Sequence, residues 1–189
     1  AGSLPAPIRI IEERSVGPSL GQDSINAGVT SVTIALVLVL LYMIAIYGKL
    51  GLIANTVLII NFLFIISWLV VFQATLTLPG IAGIALTVGM AVDANVLVFE
   101  RIREEKLLGR TKHSAINTGF NEALRAILDA NITTLIAAII LFFLGSGPIR
   151  GFSITLGLGV VSTILCTMII SKLLINYVYI QNNKRELEF

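Results

Sequence analysis

Five apolar runs, roughly 26–47, 52–72, 78–99, 130–147 and 152–173, dominate the chain. A helix needs about 20 such residues to cross a bilayer. The second run, LIANTVLIINFLFIISWLVVF, carries no charge, and Trp68 lies near one end, where an amphipathic ring suits the headgroup zone. The fourth is the shortest, with Asp129, Asn131, Thr133 and Thr134 crowding its start. Between the third and fourth runs the pattern changes. FERIREEKLL extends the third run as helix as far as Gly109, a suitable residue to end it. From Thr111, Ile116, Phe120, Ala123, Leu124 and Ile127 recur at helical spacing. This predicts a separate amphipathic helix along the inner membrane face, the alternative being a helix that docks a partner. Before the first run, IRIIEERSV reads as a strand set among Pro5, Pro7 and Pro18. A lone strand is not stable, so it is expected to complete a domain outside the membrane.

Composition agrees with this pattern. Of 189 residues 56% are hydrophobic and 13% charged, with mean hydropathy +0.94. Soluble domains carry about 25% charged residues. The predicted fold is an all-α polytopic membrane protein, a bundle of five transmembrane helices with a short N-terminal strand. Three parts are expected: an extracytoplasmic remnant over 1–24, a transmembrane domain over 25–179 that includes the 100–128 loop, and a tail over 180–189. The absence of an initiator methionine and of a leader predicts that this is part of a longer protein.

The net charge of +2 matters less than its distribution. Arg9, Arg14 and Arg150 fall in loops on one side, three in all; the remaining ten Lys and Arg fall on the other. That imbalance places the 100–128 loop and the C-terminus in the cytoplasm and the N-terminal segment outside. Cys166 is the only cysteine and His113 the only histidine, which excludes an internal disulfide, a thiolate metal centre and a His dyad. No nucleotide loop, cofactor motif or nucleic-acid surface is present.

One residue breaks the apolar pattern deeply. Asp93 lies about 15 residues into the third run, roughly 22 Å along the axis at 1.5 Å per residue. An ionised aspartate at a helix centre costs about 2.5–3.5 kcal/mol on insertion scales. No Lys or Arg lies inside another run, so Asp93 must be neutral part of the time, be hydrated, or meet a cation from another polypeptide. Burial favours the neutral form and an approaching cation the ionised one. Ala85, Gly89 and Asp93 share a face at spacings of four, which predicts a helix interface there. The alternative is an aspartate permanently hydrogen-bonded to a Thr or Asn. Asn95 lies near in sequence but on another face. The Asp-Ala-Asn triplet returns at 129–131, with Asp129 expected to cap the fourth span. Thr133 and Thr134 either donate toward a proton path or bond their own backbone. Asn61 reads as interhelical glue, and GSGPIRG over 145–151 as a tight outer turn with Arg150 an interface anchor.

GMAVDANVLVFERIREE, DANITTLIAAIILFFLGSGPIRGFSITLGLG and LPAPIRIIEERSVGPSLG together resemble the SecD family of bacterial protein-export subunits, in order along almost the whole chain. That family belongs to the proton-driven resistance-nodulation-division superfamily. The resemblance implies six helices with a large extracytoplasmic domain between the first two, so the five spans here correspond to helices two to six. It implies the bacterial inner membrane, pairing with SecF, and association with the SecYEG translocon, YajC and a preprotein substrate, besides membrane lipid. It places a proton-coupling aspartate at Asp93, extends the polar site to Asp129, Thr133 and Thr134, with Asn95 beside it, and assigns the missing cation to SecF. It implies a transport component with no enzymatic activity. Rival readings are a small-molecule or lipid exporter of the same superfamily, an intramembrane aspartyl protease using Asp93 and Asp129, and a passive scaffold. The protease is disfavoured by the Met-Ala-Val before Asp93 and by the expectation that Asp129 lies much shallower.

Overall fold

The first element of the structure, a computed structural model that describes residues 18–181, is α1, Pro18–Val71. It is followed by α2, Leu78–Leu107, α3, Lys112–Leu144, and α4, Pro148–Leu165. A π-helical stretch, Cys166–Ser171, joins α4 to the short α5, Lys172–Asn176, and a second one, Tyr177–Gln181, ends the described chain. No strand occurs among the described residues, and the strand expected near 8–16 lies outside them.

α1 is not straight. Gly48 has φ 51° and ψ −117°, in a region that a β-carbon penalises. There the helix bends back on itself. Asn55 Nδ2 donates across the bend to the Leu40 carbonyl at 3.0 Å, and Gly51 packs against the Met43 carbonyl. The first two predicted runs are thus the two arms of one helical hairpin. Four helical stretches are long and apolar enough to cross a membrane, Gly21–Val71, Leu78–Leu107, Lys112–Leu144 and Pro148–Tyr179, and the bent hairpin is the first.

The third run and its FERIREEKLL extension form one helix as expected, closed at Gly109 with φ 81°. The predicted separate helix from Thr111 is corrected: it is the first half of α3, continuous through the fourth run. Ile116, Phe120, Ala123 and Ile127 are buried as their spacing required, but against α2 and the α1 bend instead of a membrane surface. No proline stands between Lys112 and Leu144, and the one glycine, Gly119, lies inside the first half, so nothing divides the two halves. Other boundaries also move. Residues 18–24, expected outside the spans, are already helical, and the last run starts at Pro148 instead of 152.

α2 is the centre, packed on α1, α3 and α4. Successive helices run in opposite directions. Tyr47 Oη donates to Glu100 Oε1 at 3.0 Å at one end, and Thr77 Oγ1 contacts the Pro148 carbonyl at 3.5 Å at the other. Lipid tails are as apolar as these side chains, so close packing must supply what the hydrophobic effect supplies in water. Gly119 shows how close: a β-carbon there would stand 2.7 Å from the Ile102 nitrogen.

The ion pairs gather at one end. Arg101 bonds Glu104 at 2.6 Å and reaches Glu122 of α3 at 3.3 Å, while Arg110 holds the buried Glu105 at 2.7 Å. Lys112 stands over the Tyr179 ring and Lys172 over Phe120, which brings the last helix to the same end.

Candidate functional site

α2 has two dissimilar faces. One carries Asn95, Val98, Phe99 and Ile102, all buried. The other carries Leu86, Gly89, Asp93 and Leu97, all exposed, and a β-carbon on Gly89 would meet nothing within 4 Å. Of the face predicted to enter a helix interface, Ala85 is half-buried, while Gly89 and Asp93 are exposed and no described helix covers them. Asp93 makes no hydrogen bond or ion pair with any described residue, so the permanently bonded alternative has no partner here.

Beside Asp93 a cavity of about 150 Å³ opens between α2 and α3, lined by Ala94, Leu97, Ala126, Ala130 and Asn131 among others. Asn131 is 4% exposed; its Nδ2 donates to the Ile127 carbonyl at 2.7 Å and its buried Oδ1 has no partner. Sequence reasoning passed over Asn131 as a site residue. The signal was the second Asp-Ala-Asn triplet, whose asparagine, and not its aspartate, lines the cavity.

The other candidates are not gathered around Asp93. Asn95 is two residues on, about 200° round the helix at 3.6 residues per turn. It is buried and donates to the Ala91 carbonyl at 2.8 Å. Asp129 is exposed and does not line the cavity. Its expected capping role is corrected: it lies inside α3, whose N-cap is Thr111. Its expected shallow position is corrected as well. Asp93 shares its cavity with Ala126, Ile127 and Ala130, which sets the two aspartates at a similar level. Thr133 Oγ1 and Thr134 Oγ1 donate to the carbonyls of Asp129 and Ala130 at 2.9 and 3.0 Å. Both hydroxyl protons are committed to their own helix, and each oxygen keeps acceptor capacity. Glu122, Arg125, Asp129 and Thr133 nevertheless form an exposed polar stripe on α3. Asn61 bonds Thr163 Oγ1 of α4 at 3.2 Å, the interhelical link expected of it.

Comparison with known proteins agrees with this architecture. Residues 3–181 match the family described as protein export membrane protein SecD/SecF, C-terminal. The protein translocase subunit SecD of Desulfurispirillum indicum is 56% identical over 181 residues, covering 94% of this chain and 35% of that protein. The subunit of the same name from Rhodothermus marinus is 52% identical, covering 96% of this chain and 29% of the relative. The chain thus spans about a third of the length of these relatives. Among solved structures, the crystal structure of SecDF from Thermus thermophilus, described as a translocon-associated membrane protein, superposes with TM-score 0.87 at 41% identity. That match covers 93% of this chain and 25% of the other. The resemblance is to the C-terminal membrane portion of SecD, and the chain belongs to the SecD/SecF C-terminal family of protein-export membrane proteins.

Proposed function

We propose that this chain is the membrane part of a subunit that couples the proton-motive force to protein export, with Asp93 as the group that takes up and releases the proton. Its five spans are the two arms of α1 together with α2, α3 and α4. The N-terminal segment is extracytoplasmic, and the charged end around Arg101 and Glu122 is cytoplasmic, in keeping with the distribution of Lys and Arg.

One observation carries the reading: Asp93, bonded to no described residue, is exposed on the face that holds Gly89 and opens onto a cavity shared with Ala126, Ala130 and Asn131 of α3. In a bilayer an intramembrane carboxylate does not face lipid, and small residues admit a neighbouring helix. The partner that covers this face is SecF, which also brings the cation that no described residue supplies to Asp93. The relative's SecDF assembly supports that pairing. Protonation removes the charge at the contact, the two bundles repack, and the motion passes to an extracytoplasmic domain that holds and releases the preprotein emerging from SecYEG. YajC is an associated subunit. A proton crossing the membrane potential yields about 2.3 kcal/mol per 100 mV, enough to reverse a conformer ratio set by a few kcal/mol.

The test is Asp93→Asn in the full-length protein with its partners, assayed for translocation of a preprotein under an imposed potential. Stimulation by the potential is expected to vanish while ATP-driven export persists. Unchanged stimulation at normal protein levels would discard proton coupling through Asp93.

A further inference from the structure

Away from Asp93, where the 72–77 loop meets α3 and α4, lies a groove of about 610 Å³. That is within the range of about 300–1,000 Å³ typical of sites for small organic ligands. Its walls are mostly apolar, with Phe72, Leu135, Ile139, Phe142, Ile154 and Leu158, and Gln73, Thr75 and Ser153 add polar atoms. Gly157 forms part of its wall. A β-carbon there would meet only Ala138 Cβ at 3.8 Å and Leu135 Cδ1 at 4.0 Å, ordinary contacts that leave the rest of the space open.

A cation stands at the edge of this groove. The Arg150 guanidinium carbon is 4.4 Å from the centre of the Phe142 ring, the same ring that forms part of the wall. Stacking on an aromatic face holds a guanidinium in place without using its N–H groups. Arg150 is exposed and no described carboxylate pairs with it. It also sits in the first turn of α4, where the helix dipole disfavours a cation, so local helix energetics do not account for it. An apolar slot with an unneutralised guanidinium at its rim matches a molecule having an alkyl tail and an anionic head. A purely apolar helix would fill the slot and leave the charge unanswered.

We propose that this groove is a specific site for one phospholipid, its acyl chain against Gly157 and its phosphate on Arg150. Guanidinium and phosphate meet through paired charge-assisted hydrogen bonds. The site rests on the bilayer placement above and is independent of Asp93.

The experiment uses the full-length protein with its partners in vesicles holding a trace of phosphatidylglycerol with a diazirine on its acyl chain. Parallel vesicles carry the corresponding diacylglycerol, which lacks the phosphate. After photolysis the labelled residues are mapped. Labelling is expected at the groove wall, over 135–161, and Gly157→Leu should abolish it by filling the slot. Gly157→Ala, whose methyl group fits, should fold like the parent and lose only part. Arg150→Gln should reduce phospholipid labelling about tenfold, the order expected for a charge-assisted bond, and leave diacylglycerol labelling unchanged. Equal labelling of Gly157→Leu and parent, or a groove crosslinked to another protein segment, would overturn the site. Labelling of the exposed α1 residues Leu38 and Leu41 is the control. If they label and the groove does not, the site alone fails; if they do not, the bilayer placement fails.

Discussion

Asp93-Ala94-Asn95 and Asp129-Ala130-Asn131 are the same triplet on two antiparallel helices, and the structure treats their asparagines alike. Each is buried, gives its amide to the carbonyl four residues back at 2.8 or 2.7 Å, and keeps an unpartnered Oδ1. The aspartates differ. One turn before Asp93 is Gly89, and one turn after it is Leu97; Asp129 has Arg125 before it and Thr133 after it. Asp129 therefore belongs to a polar stripe, while Asp93 stands alone on a face that is otherwise apolar. Identical residues acquire different chemistry from what lies one helical turn away.

Exchanging charge at the two positions should give the largest contrast. Asp93→Asn is expected to lower potential-driven export by at least about tenfold, since one proton's share of the field is about 2.3 kcal/mol per 100 mV. Asp129→Asn should lower it by less than about threefold, as its neighbours supply other polar groups. Similar losses at both positions, in the same translocation assay, would erase the distinction drawn here.

Next come the residues one turn earlier. Gly89→Leu should leave this chain folded, because nothing within 4 Å opposes a side chain there. It should weaken co-purification with the partner subunit about tenfold, the scale of overpacking a tight contact. Arg125→Leu, on the exposed stripe, should change co-purification by less than about twofold. Thermal melting of each purified variant separates lost folding from lost pairing.

The two asparagines sharpen the comparison further. Asn131→Leu removes a polar group from the Asp93 cavity and is expected to slow potential-driven export about threefold, an effect of the order of one hydrogen bond. Asn95→Leu should leave export unchanged and move stability by about 1 kcal/mol, read from denaturation in detergent. The smallest effect is expected from Thr133→Val. Its hydroxyl serves its own helix, so stability should shift by no more than about 0.5 kcal/mol.

Much of this was legible in the residues. Long apolar runs and the unpaired Asp93 follow from periodicity and from the cost of charge in hydrocarbon. The turn at Gly109 follows from what a β-carbon forbids. Other features were not legible for definite reasons. Asp129 has the composition of a helix cap, but Lys112–Leu144 contains no proline, and only tertiary packing against α2 reveals that α3 continues through it. Asn131 was hidden because which asparagine faces which cavity depends on the register of α2 against α3. The small-residue face of α2 announced an interface without saying whose, since spacing encodes a contact surface and not the chain that fills it.

The claim on which the account depends is that Asp93 changes between its neutral and ionised forms as the protein works. Infrared difference spectroscopy of the full-length protein with its partners, as pH is stepped across the membrane, reads this directly. A protonated-carboxyl band that rises and falls with the pH step, and is missing in Asp93→Asn, is the predicted result. A band from Asp93 that stays constant, or never forms under any working condition, would contradict it.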